Sequence, residues 1–155
     1  MNSYKTLVLT LFCFSLTANA SQLDFPKTGY SIDSLEAEPS QSISNALHMF
    51  LPPENGFSGN VNVMLQPYSG SLEEYKALSE AQFKQLNLEM ILSFVSQEQL
   101  TFEYKGTMQG KMLHWYAKAY KKGDIIYLVT ATDAQINWEK NKGQLSATVD
   151  SFTLK

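Results

Sequence analysis

Arginine is missing from this chain altogether, and cysteine nearly so. All 12 basic residues are lysines, set against 15 carboxylates for a net charge of -3. Planar guanidinium forks are the usual device for reading phosphate, carboxylate and guanine, so an acidic chain without them is not built to hold nucleic acid or an anionic membrane. The one cysteine, Cys13, lies in the apolar N-terminal stretch. Residues 21–155 therefore contain no disulfide, no thiol nucleophile and no thiolate ligand. Two histidines, His48 and His114, are too few and too isolated for a transition-metal site. There is no G-x-S-x-G elbow, P-loop, H-E-x-x-H or Gly-rich dinucleotide fingerprint. Glu36 and Glu38 lie close to Asp33, but the Asp-x-Asp-x-Asp-Gly spacing of a calcium loop is absent, so they read as a solvated acidic loop. No metal and no cofactor is expected.

The long hydrophobic run is confined to Leu7–Leu16. Lys5 precedes it, and Ala18-Asn19-Ala20 places small residues where signal peptidase cuts. Residues 1–20 read as a secretory signal peptide, too short in its apolar core to span a bilayer. Phe12 and Phe14 around Cys13 argue against a lipid anchor. The expected product starts at Ser21, is periplasmic or secreted, and has no stable membrane insertion. Removing Lys5 leaves 11 lysines against 15 carboxylates, a net charge of -4.

Residues 21–155 are expected to form a single domain, long enough to bury its own core. Pro26 and Gly29 mark an extended start, followed by a short strand at 30–35. Residues 36–45, with Pro39, read as a loop, and 46–51 as a strand stopped by Pro52-Pro53. Val61, Val63 and Leu65 alternate along a strand at 60–66. Ser71-Leu72-Glu73-Glu74 is a capping box opening a helix that ends near Asn87. Strands follow at 90–95 and 100–104. A hairpin joins 111–120 to 125–130 through Lys121-Lys122-Gly123-Asp124, whose lysines read as solvated turn charges. The return strand is apolar on both faces, as a central strand would be. Thr132 with Gln135 reads as a second capping box, opening a helix towards residue 150 that Gly143 is expected to break or fray.

The order of these segments resembles the PsbP-like superfamily, and within it the DcrB-like bacterial secreted proteins. The residues that carry the likeness are Phe50-Leu51-Pro52-Pro53, Gly56-Phe57, Asn60-Val61-Asn62-Val63, Ser71-Leu72-Glu73-Glu74-Tyr75, Tyr127–Thr132 and Ser151-Phe152. The resemblance implies an α+β fold: an α-β-α sandwich with a central, mostly antiparallel sheet flanked by helices. It also implies a binding or accessory role, since such proteins serve systems from photosystem assembly to nuclear transport without catalysing reactions.

Aromatic residues are the surplus that points to binding. Along 111–120, His114, Tyr116, Lys118 and Tyr120 share one face, and Trp115, Ala117 and Ala119 the other. The Ala-rich face suits core packing under a helix. The Tyr/His/Lys face is amphipathic, able to pack beneath the other helix or to meet a partner. Tyr104, His114, Tyr116 and Tyr127 are the candidate binding residues. The leading expectation is a non-enzymatic extracytoplasmic accessory protein acting through a protein partner in the cell envelope. The alternatives are a small-molecule carrier with a pocket between sheet and helix lined by Tyr104, Tyr116 and Tyr127, and a hydrolase. The last would need His48 or His114 as base, a Ser nucleophile, and Asp33, Asp124 or Asp133 to orient the imidazole.

Overall fold

The strongest alternating patterns become long strands joined by two-residue turns. The computed structural model describes residues 22–26, 29–35 and 47–155. In chain order its elements are β1 (Gln22–Phe25), β2 (Tyr30–Asp33), β3 (Leu47–Phe50), β4 (Asn60–Pro67), α1 (Leu72–Gln85), β5 (Glu89–Ser96), β6 (Gln99–Met108), β7 (Lys111–Lys122), β8 (Ile125–Ala134), α2 (Gln135–Asp150) and β9 (Thr153–Leu154). Six strands form one sheet in the order β3-β4-β8-β7-β6-β5, and every pairing in it is antiparallel. The signal-peptide segment and the acidic loop holding Glu36 and Glu38 lie outside the described residues.

The turns explain why the meander β5-β6-β7-β8 is so regular. Gln97, Gln109, Gly110 and Gly123 all have positive φ, which suits tight hairpins matching the right-handed strand twist. The capping box forms as expected: Ser71 Oγ accepts from Glu74 N–H at 3.1 Å, and Glu74 Oε2 accepts from Ser71 N–H at 2.8 Å. After α1 the chain passes so close to β6 that a Cβ on Gly106 would meet Leu88 Cδ2 at 2.5 Å. Glycine is needed there for space.

The two helices lie on opposite faces of the sheet, because the residues they bury alternate along the strands. With α1 go Leu100, Phe102, Tyr104, Trp115 and Ala117; with α2 go Val61, Val63, Val129 and Ala131. The α+β class and antiparallel sheet are thus as expected, but neither helix covers its whole face. α1 packs on β5, β6 and β7; α2 packs on β8, β7 and β4.

Four details differ from the sequence reading. The N-terminal segment and the C-terminal tip pair into a second sheet, β1-β2-β9, which seats Tyr30 and Ile32 on the α2-side core. Such two- to four-residue strands are too short to show a period. Thr132 is no helix cap: β8 continues to Ala134, pairing Thr132 with Asn60 and Trp115. Instead, the buried carboxylate of Asp133 accepts from Ala134 N–H at 2.7 Å and from Asn141 Nδ2 at 2.8 Å. Gly143 does not interrupt α2, which runs unbroken to Asp150. Lys121 and Lys122 are also tied down, Lys121 Nζ donating to Tyr68 O and Gly123 O, Lys122 Nζ to Lys155 O.

Candidate functional site

Beyond the edge of α2, one face of the sheet carries polar, then apolar, side chains towards its rim. Antiparallel register builds the rows: Leu92 beside Glu103 beside Tyr116, and Phe94 beside Thr101 beside Lys118. His114 is buried at the border with α2, its ring stacked on Trp138 with centroids 4.0 Å apart. Its Nε2 lies 2.8 Å from Glu103 Oε1 and its Nδ1 lies 3.1 Å from Gln135 Oε1. Tyr116 donates to Asp150 Oδ1 at 2.9 Å, and Lys118 Nζ pairs with the same oxygen at 2.8 Å. Burial, then its hydrogen bond to the Asp150 carboxylate, pushes the Tyr116 phenol well above its ordinary value. Tyr120 is pushed up to about 12, by burial first and Asp150 second. Thr101 contributes a buried hydroxyl with no hydrogen-bond partner.

At the rim, β5 is an edge strand eight residues long, paired among the described residues with β6 alone. Leu92 and Phe94 on this face are 39% and 41% exposed. Ile91, the extra residue at a register shift between Met90 and Leu92, is 46% exposed. An unpaired edge with several exposed large apolar side chains is a surface that folded proteins normally cover or use.

The structure brings together two of the four candidate binding residues. His114 and Tyr116 share the polar strip. Tyr104 pairs with Trp115 and so faces α1, on the other side of the sheet. Tyr127 is on the α2 side but buried beside Tyr30 and Phe152, under the small sheet. The carrier pocket expected from Tyr104, Tyr116 and Tyr127 therefore does not form. The cause is the two-residue period: an even and an odd position in paired strands share a face only when the register makes them partners. Glu103, Gln135, Trp138, Leu92 and Phe94 were missed. The register between β6 and β7 would have found Glu103, since it pairs directly with Tyr116.

Neither histidine assembles the hydrolase geometry. His114 is held by a carboxylate and an amide, and among the described residues no hydroxyl bonds to its ring. His48 is exposed and meets the edge of Phe50, its ring 6.1 Å away. Both oxygens of Asp133 are occupied within its own segment and α2. Among the described residues no group of three or more His, Cys, Asp and Glu side chains is placed to hold a metal ion. No helix among them is long and apolar enough to cross a membrane.

No family model matches the chain, and no curated protein matches it by sequence. Solved structures do match. The solution structure of cyanobacterial PsbP (CyanoP) from Synechocystis sp. PCC 6803 is 12% identical, covers 93% of this chain and 98% of its own, and superposes with a TM-score of 0.57. A protein of unknown function from Pseudomonas aeruginosa is 10% identical over 84% of this chain and 96% of its own, with a TM-score of 0.58. At such identities the likeness is one of fold. The chain has the PsbP-like fold.

Proposed function

We propose that this is a non-enzymatic, extracytoplasmic accessory protein, a single domain of residues 21–155 after signal-peptide removal, that works by binding a protein partner in the cell envelope. The observation that carries the reading is the β5 rim: a long unpaired edge flanked by exposed Ile91, Leu92 and Phe94, next to the His114/Tyr116/Lys118 strip. An extended partner segment adding to β5 would satisfy its free backbone groups and bury Leu92 and Phe94. Tyr116 and Lys118 would supply polar contacts at the border of the patch. The PsbP-like fold supports an accessory role by analogy, and the DcrB-like secreted proteins are the group within it that the motifs from Phe50-Leu51-Pro52-Pro53 to Ser151-Phe152 resemble. The site-specific test is a photo-crosslinking residue at Phe94, with one at exposed Lys142 on α2 as control, followed in envelope fractions. A discrete adduct from position 94 alone is expected. The same adducts from both positions, or none from 94, would remove the β5 rim from the reading.

A further inference from the structure

The other face of the sheet holds a cavity. It lies beneath α1 with a volume of about 300 Å³, at the lower end of the range of about 300–1,000 Å³ typical of small-molecule sites. Gln66, Tyr75, Ser79, Phe102, Tyr104 and Leu128 are among its lining residues, Phe83 and Tyr68 complete an aromatic wall, and no charged side chain among the described residues lines it. The sequence explains the space. Ala117 puts a methyl group on the floor, and Ser79 faces the sheet from the helix while bonding its hydroxyl to Tyr75 O of its own turn.

The polar groups in the wall are unequal. Tyr75 donates to Gln66 Oε1 at 2.7 Å, and the Gln66 amide N–H groups meet no protein acceptor among the described residues. Tyr104 is clamped by its ring, stacked at 4.2 Å on Phe83 and 5.1 Å on Trp115, yet its hydroxyl bonds to no protein group among the described residues. It is only 9% exposed, and burial raises its pKa, keeping it a neutral donor. An aromatic wall, an unused phenol, unused amide donors and no charge together describe a complementary molecule.

We propose that the cavity beneath α1 is a binding site for a neutral, flat aromatic molecule of about two fused rings that carries a carbonyl oxygen. The ring system lies against Phe83, Phe102 and Tyr75, and the carbonyl accepts from Tyr104 Oη. The site faces away from the β5 rim patch of Leu92 and Phe94, so it stands whether or not the partner reading does.

The test uses prodan, a neutral naphthalene ketone whose emission shifts to the blue in dry surroundings. It is titrated into the purified protein as its host produces it. One saturable, blue-shifted site is expected. Tyr104→Phe keeps the ring and removes the donor, and should weaken binding roughly fivefold. Ser79→Leu fills the cavity from the helix side and should abolish binding. Phe94→Ala, on the opposite face, should leave it unchanged. Thermal melts of each variant show whether the fold survives. The proposal is overturned by absence of a saturable site, by binding that survives both Tyr104→Phe and Ser79→Leu, or by binding that Phe94→Ala removes.

Discussion

The two faces of the same six-stranded sheet are packed to different standards. On the α2 side, Val61, Val63, Val129, Ala131, Leu145 and Val149 are all fully buried. Asn137 there donates to Glu54 O at 2.9 Å and accepts from Asn55 at 2.7 Å, although Thr101, farther along the same face, keeps a buried hydroxyl without a partner. On the α1 side the helix buries only Leu72, Tyr75 and Ser79, leaves Leu78 and Leu86 about half exposed, and spans a cavity. Close packing and satisfied polar groups hold a fold; a loose cover leaves room for a ligand. The α1 side has its own fully buried strand residues, Leu100, Phe102 and Ile126, so the contrast lies in the helix cover, and it predicts that substitutions under α2 cost more than those beside the cavity.

Adjacent residues of β8 give the sharpest way to break that contrast. Val129 faces α2 and is fully buried, whereas Leu128 faces the cavity and is half-buried. Val129→Asp places an unpaired charge in the tight core, more than a domain with about 5–15 kcal/mol of stability is expected to survive. Leu128→Asp can send its carboxylate towards water, and should cost only about 1–3 kcal/mol. Chemical denaturation compares them directly. Equal losses would mean the two faces are packed alike.

Trp138→Ala tests the α2 side alone and should cost roughly 3–5 kcal/mol. The indole is 3% exposed and sandwiches His114 against the sheet, so truncation removes both a core side chain and a stacked ring. A loss below about 1 kcal/mol, far under the usual price of truncating a buried Trp, would show that α2 is not the anchor.

A smaller effect should appear in alkali. In the unfolded chain the Tyr120 phenol ionises near its ordinary value of about 10. In the fold, burial and then Asp150 push it up to about 12. The folded state therefore holds its proton more tightly, and its contribution is complete below pH 10. It is lost progressively as pH rises towards 12. Melting temperatures measured across that window should fall less steeply for Tyr120→Phe than for wild type. Identical slopes would detach Tyr120 from the α2-side core.

Much of this architecture was legible because it rests on local chemistry. The capping box at Ser71, the Gly123-Asp124 turn and the placement of β8 at the sheet centre all follow from short patterns of residue type. The small sheet was hidden because β9 has two residues and pairs with β2 over 120 positions away in sequence, where no period can register. The candidate site was half legible. Alternation along β7 separated His114 and Tyr116 from Trp115 and Ala117 correctly. Assigning Tyr104 a side required the β6-β7 register, which a single strand does not contain. The cavity beneath α1 depends on how far a helix sits from a sheet, and composition says nothing of that distance.

Gly143 carries the last and smallest test, and it works in the opposite direction. Glycine in mid-helix suggested a break, yet α2 continues through it because Trp138, Leu145 and Val149 dock the helix on both sides of that point. Tertiary packing has overridden a propensity deficit of about 1 kcal/mol. A Cβ built at Gly143 meets nothing within 4 Å, and the residue is exposed. Gly143→Ala should therefore raise stability by about 0.5–1 kcal/mol by lowering the entropy of the unfolded chain, with no change in contacts. If denaturation shows a loss instead, helix propensity does not limit stability at this position, and the packing of Trp138, Leu145 and Val149 alone sets the cost of continuing α2 through Gly143.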